Sequence, residues 1–185
     1  MTYTAGFADS RHGPILTTMS IIGQRARAFH GAAGLASTAW PVANSAYLLP
    51  FAVAVPVTVA EMFFITGTTP GTANFDLGIY REDFTRIASL GATACVNTTN
   101  VPMPSGGGAF AAPITLPRGR YYMAMSAAAT TVTVMAAAYA NGFCRAVGMQ
   151  SMATAQPLPA TVTPASMSTT NFIPYVAMAT ITNIL

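Results

Sequence analysis

The chain is short of ions. Its 185 residues include no lysine, only eight arginines and only five acidic residues, so 7% are charged, against about 25% in ordinary soluble domains. Hydrophobic residues make up 52%, which excludes a disordered chain, because disorder combines few apolar residues with many charges. No basic run is present, which excludes a polybasic nucleic-acid binder, and a net charge of +3 says little about partners. Long hydrophobic runs are also missing. A membrane-spanning helix needs about 20 apolar residues in succession. The stretch 46–60 is broken by Pro50 and Pro56, and the shorter stretch 172–185 contains Pro174, Thr180, Thr182 and Asn183. No transmembrane segment is therefore expected. The first residues, MTYTAGFADSRHGP, carry no basic leader before an apolar stretch, so synthesis in a reducing cytoplasm is expected. Cys95 and Cys144 form no C-x-x-C. They read as two buried thiols, or as a disulfide if their strands are neighbours.

What is abundant is Ala, Thr, Gly, Pro and Met, arranged in three zones. Residues 1–45 hold both histidines, Arg11, Arg25, Arg27 and Trp40. Their weak helical patches, such as 21–31, are interrupted by Gly and Pro, so this zone reads as an arm or peripheral lobe. Residues 46–140 are a train of short strands with turn chemistry between them. The segment 47–55 is apolar and carries Pro50, as an edge strand allows, and 57–66 (VTVAEMFFIT) is rich in β-formers. Residues 74–80 alternate, with Phe75, Leu77 and Ile79 on one face and Asn74, Asp76, Gly78 and Tyr80 on the other. Residues 86–93, 110–116, 120–126 and 130–139 continue the series, with PMPSGGG and PRG as loops. Such spacing predicts an all-β fold, an antiparallel β-sandwich. Residues 141–185 read as an extended segment: 156–165 (QPLPATVTPA) as a linker, and 172–185 as a last strand that returns to the sandwich or to a neighbour. Residues 31–60 contain no charge, and neither do 146–185. At a free surface such stretches invite aggregation, so they are expected to lie against other subunits.

Four elements of the train have a recognisable order. Tyr47-Leu-Leu-Pro-Phe51, Val57-Thr-Val59 followed by Phe63-Phe64, Asp76-Leu-Gly-Ile-Tyr80, and Leu116-Pro-Arg-Gly-Arg-Tyr-Tyr-Met-Ala124 together resemble the strands of small jelly-roll modules in bacteriophage structural proteins. The resemblance covers about residues 46–126. It implies a jelly-roll sandwich and a virion component, with no catalytic residues to carry over.

Few residues offer chemistry. Asp9-Ser10-Arg11-His12 contains an acid, a hydroxyl and an imidazole, but a nucleophilic triad needs groups converging from separated positions. The stretch therefore reads as turn capping or a contact. His12 and His30 have no carboxylate or thiol at ligand spacing for zinc. Asp76, Glu82 and Asp83 lack the ladder of a calcium loop and read as surface polarity paired with Arg81 or Arg86. Trp40, Tyr80, Tyr121 and Tyr122 are the candidates for a sugar-stacking platform, or for core and interface. The tyrosines suit a sandwich rim, with apolar bodies and polar tips. Arg11, Arg25, Arg27, Phe29 and His30 are candidate partner contacts, since Arg pairs well with carboxylates at an interface.

The expectation is a non-enzymatic virion protein without cofactor. As a capsid decoration or cement protein it would form a homotrimer and stabilise the head through contacts with itself and with the major capsid protein or other virion proteins. It would have no nucleic-acid or membrane partner, and it would be assembled into the virion in the host cytoplasm. The alternative is a tail-fibre or tail-tip module recognising host surface glycans.

Overall fold

The structure, a computed structural model, describes residues 15–17, 35–68, 71–95, 106–138, 148–163, 166–167 and 172–181. Every regular element among them is a strand. In chain order they are β1 (Ile15–Thr17), β2 (Leu35–Ala39), β3 (Ala46–Val53), β4 (Val57–Phe64), β5 (Asn74–Arg81), β6 (Arg86–Ser89), β7 (Thr93–Ala94), β8 (Gly106–Leu116), β9 (Gly119–Ala127), β10 (Thr133–Ala138), β11 (Gln150–Met152), β12 (Ser166–Met167), β13 (Phe172–Pro174) and β14 (Val176–Ile181). Runs of Val, Ile, Thr and aromatic residues favour the pleated conformation, and Gly, Pro and Asn punctuate them.

The strands pair antiparallel in three sheets, ordered β1-β14-β4-β8, β13-β10-β2, and β12-β11-β3-β9-β5-β6 with β7 on β5. The first two are joined: Met135 N–H donates to Ile65 O and Tyr175 N–H to Met135 O, both at 2.8 Å, and Thr66 bridges to Val134. Together they face the third sheet, and the protein is an antiparallel β-sandwich. The interior draws Val59, Met62, Phe64, Leu116, Val134 and Met178 from one layer and Leu49, Phe51, Leu77, Ile79, Met123 and Met125 from the other. Phe64 meets Phe75 edge to face at 4.8 Å, across the two layers. Removing each such side chain from water is worth about 1.5–3 kcal/mol gross, so the two layers supply their own cohesion.

The third sheet is covered on its outer face as well. Ala46, Leu48, Tyr80 and Ala124 point away from the main core and pack with Ala155, Leu158 and Val162 in a second apolar cluster. Residues 155–162 therefore form a strap lying on the sheet, not the linker expected from their prolines. Polar ties hold it at both ends and in the middle. Ala155 N–H donates to Asn44 O at 2.6 Å, Arg86 N–H to Ala160 O at 2.8 Å and Val162 N–H to Phe84 O at 3.0 Å. Tyr80 Oη donates to Pro159 O at 2.7 Å, and the Arg86 guanidinium donates to Leu158 O. Gly78 makes this possible. A Cβ there would lie 2.8 Å from Ala88 O and 2.9 Å from Leu158 Cδ1, so only a glycine leaves room for the leucine.

Three further expectations change. First, β3 lies inside a sheet, between β11 and β9. Its Pro50 is still accommodated, because β11 pairs only with Ala46, Tyr47 and Leu48, which leaves that flank open beyond them among the described residues. Second, residues 35–40, expected as part of an arm, are in the body. β2 pairs with β10, and Trp40 is buried between Tyr47 and Phe172, its ring 5.2 and 5.3 Å from theirs. Third, much of the uncharged C-terminal stretch is hidden by its own chain. Phe172, Ile173, Val176, Ala177 and Met178 are buried, and β14 pairs with β4. Neighbouring subunits are not needed to account for these residues.

Candidate functional site

Three turns converge at one end of the sandwich. The β3–β4 turn, the β5–β6 turn and the β8–β9 turn are brought together because Val53 pairs with Gly119, Val57 with Leu116 and Arg81 with Tyr121. Arg81, Glu82, Asp83, Arg118 and Arg120 all stand at this end. The other described charged residues are Glu61 in β4, Asp76 under the strap and Arg86 at its edge. The opposite end, formed among the described residues by 40–45, 71–73 and 127–132, carries no charge in them. Of the eight charged residues among those described, five stand at this one rim.

Between the β5–β6 and β8–β9 turns lies a cleft of about 400 Å³, with Arg81, Glu82, Asp83 and Arg120 on its walls and Ile87, Leu116 and Tyr121 among its lining. Its shape is fixed from below. Tyr121 Oη donates to Pro117 O at 2.9 Å, and a Cβ on Gly119 would come within 3.2 Å of the same hydroxyl, so the ring packs under the turn. Thr85 N–H donates to Asp83 Oδ1 at 2.9 Å, the local bond that lets Asp nucleate a turn. That bond and the Thr85 hydroxyl hold the Asp83 carboxyl below its ordinary value, and Arg81 adds to the effect. Across the mouth, Arg120 pairs with Glu82 at 3.3 Å, the two side chains being 70% and 62% exposed. An ion pair so open to water is worth at most about 1 kcal/mol. Beside the cleft, Val55 is 67% exposed, the most open large apolar side chain among the described residues.

The expected sites fare differently. Arg11, Arg25, Arg27, Phe29 and His30, with His12, the rest of the 9–12 stretch and Cys144, lie outside the described residues. The sugar platform is not assembled. Trp40, Tyr80 and Tyr121 are buried, because each points into an apolar cluster and uses its polar atom internally. Trp40 Nε1 donates to Ser45 Oγ at 3.2 Å, and burial pushes the Tyr80 hydroxyl pKa well up. Tyr80 and Tyr121 thus support the interior, where a sandwich rim was expected. Tyr122 alone of the four keeps partial access, stacked on Phe84 at 4.8 Å.

Of the three carboxylates considered for calcium, Glu82 and Asp83 share the cleft and Asp76 stands apart from them. Asp76 sits six strand positions before Glu82, roughly 20 Å along β5 at the usual rise. It is buried, and it accepts bonds from Ser89 Oγ and from Leu158 N–H at 2.9 Å. Burial raises its pKa, while these hydrogen bonds and Arg86 work against the rise. Among the described residues no three His, Cys, Asp or Glu side chains form a metal-sized group. No helix among them is long and apolar enough to cross a membrane. Cys95 is a free, buried thiol, and burial raises its pKa.

Reading the sequence missed the cleft. Its signal was the pair of charged turns, Arg81-Glu82-Asp83 and Arg118-Gly119-Arg120, but only the β5–β9 register places them side by side. No family model, curated protein or solved structure matches the chain.

Proposed function

We propose that the protein is a structural component of a bacteriophage particle, a jelly-roll-type sandwich that decorates or cements the head. It acts through contacts among its own copies, as a trimer, and with the shell protein beneath. The observation that carries this reading is the segregation of charge among the described residues: five of their eight ions stand at one end, while the opposite end and a sheet edge are neutral. Among the described residues that edge is β8, paired on one side with β4. Its eleven residues carry no charge, and Ala109, Ala111, Ala112 and Pro113 are exposed. Monomeric proteins guard such edges with charge, above all lysine. Here Pro113 and the bulge opposite Val59 and Glu61 limit strand pairing only, and the uncharged side chains of the edge are left as the surface on which a sister copy packs. The neutral end adds Val42, 51% exposed, to the surface available for contact.

Burying about 1,000 Å² of apolar area yields about 25 kcal/mol gross, most of it offset by the cost of association. Many copies on one lattice then add their weak contacts through multivalency. Glycan recognition by a tail module, the alternative, needs open aromatic faces, and Trp40, Tyr80 and Tyr121 are buried. A reconstruction of the intact particle that encodes the chain tests the proposal. Density for the protein at three-fold positions of the shell is expected; density at a single vertex spoke, or none in the particle, contradicts it.

A further inference from the structure

We infer that the side chains of Ser126 and Gln156 join as an ester, a staple made by the folded chain itself that fixes the strap to the third sheet. The inference goes beyond the structural role proposed above and does not depend on it.

The groups that such a reaction needs meet under the strap. Ser126, in β9, is fully buried, and its Oγ donates to Gln156 Oε1. One carbonyl bond, about 1.23 Å, separates Oε1 from Cδ, the carbon that a hydroxyl attacks, so nucleophile and electrophile are already side by side. Asp76, in β5, is the register partner of Ser126 and is buried on the same face. Side chains so paired have Cβ atoms about 5 Å apart, a gap that a carboxylate and a hydroxyl can span. Ser89 Oγ and the Leu158 N–H donate to the Asp76 carboxylate, which accepts about four such bonds and so can receive the Ser126 hydroxyl as well. On the far side of the amide, Gln156 Nε2 is buried with no hydrogen-bond partner. A buried donor left unpaired is costly and rare in folded proteins; its departure as ammonia removes that cost.

The step balances without a co-reactant. Ser126 Oγ bonds to Gln156 Cδ as its proton passes to the Asp76 carboxylate. The Cδ–Nε2 bond then breaks, the proton moves from Asp76 to the departing nitrogen, and ammonia leaves with Asp76 ionised again. Nothing is oxidised or reduced. Holding the two side chains in contact makes the attack intramolecular. Ala155 and Leu158, buried on either side of Gln156, shield the product from hydrolysis, while the ammonia is diluted into solvent. A staple through an amine side chain is closed to this chain, which has no lysine; a buried hydroxyl is the nucleophile that remains.

Intact mass and peptide mapping of the purified full chain test this. The chain is expected to be lighter than its sequence by one ammonia. Trypsin cuts after Arg120 and Arg145, and no Arg follows, so 121–145 and 146–185 are expected as one joined species. Hydroxylamine, which cleaves an ester and spares an amide, is expected to part them. Ser126→Ala is expected to give the two peptides apart and the full mass. The part played by Asp76 is read from chain made in urea, never folded, and then diluted to fold. Asp76→Asn is expected to join at least about tenfold more slowly once its Trp40 emission matches the native value, which separates joining from folding. The wild-type map decides the inference even if that variant does not fold. Separate wild-type peptides, a link between other residues, a link that resists hydroxylamine, or equal joining rates in wild type and folded Asp76→Asn overturns it.

Discussion

Truncating Leu158 to alanine tests whether the strap belongs to the fold. The leucine is buried in the cluster on the outer face of the third sheet, and its Cδ1 fills the space that Gly78 leaves free. Leu158→Ala removes that packing, while both backbone ties of the residue, its N–H to Asp76 and its carbonyl from Arg86, remain. Removing a buried leucine costs about 2–5 kcal/mol, the lower part applying where the site can collapse. The strap has turns on both sides and can settle, so about 2–4 kcal/mol is expected, lowering the melting temperature by roughly 5–15 °C in a chain of this size. Gly78→Ala is expected to cost about 1–3 kcal/mol by overpacking, because its new Cβ meets Ala88 O as well as the leucine. The double variant should lose less than the sum, since residues in contact do not add. Urea melts of the four proteins, with Thr163→Ala at the exposed position just after the strap as a control within about 0.5 kcal/mol, give the cycle. A Leu158→Ala effect no larger than the control would refute the reasoning: the strap would then be a loose segment and the second cluster would not contribute to stability.

Asp76 gives a pH dependence of definite sign. Its folded pKa is raised above 3.8, so its contribution is fully present below that value and is lost as pH rises through the raised value. Wild-type stability relative to Asp76→Asn should therefore fall over that window; a difference that is flat or rises in urea melts across pH contradicts the buried carboxylate. Cys95 should resist a thiol reagent in the native state and react on unfolding, because burial disfavours the thiolate; in a Cys144→Ser background, rapid native labelling would argue against its placement. Phe172→Ala should cost about 3–5 kcal/mol and shift Trp40 emission to the red, since the phenyl ring lies against the indole; unchanged emission would contradict that contact.

The strands were legible because their signal is local. Alternation in 74–80 placed Phe75, Leu77 and Ile79 on one face, and they do line the main core. The quoted stretches around Tyr47, Val57, Asp76 and Leu116 fall on β3, β4, β5 and the β8–β9 hairpin. What could not be read was which faces are covered, because that depends on contacts distant in sequence. Asp76, Gly78 and Tyr80 look like a solvent face, yet they are closed over by residues 155–162, about eighty positions later in the chain. A proline-rich stretch looks like a linker until its Leu158 and Val162 find a floor of small residues. The cleft was invisible for the same reason. Two charged turns far apart in sequence become one site only through the register of β5 on β9.

The claim on which the proposed role stands is that neutral surface, above all the β8 edge, is contact surface between copies. Sedimentation equilibrium of the purified chain from micromolar to millimolar concentration, beside an Ala112→Lys variant that places a charge on that edge, measures it directly. The account predicts a trimer that the lysine dissociates; a wild-type chain that stays monomeric throughout, or a trimer indifferent to the substitution, would contradict it.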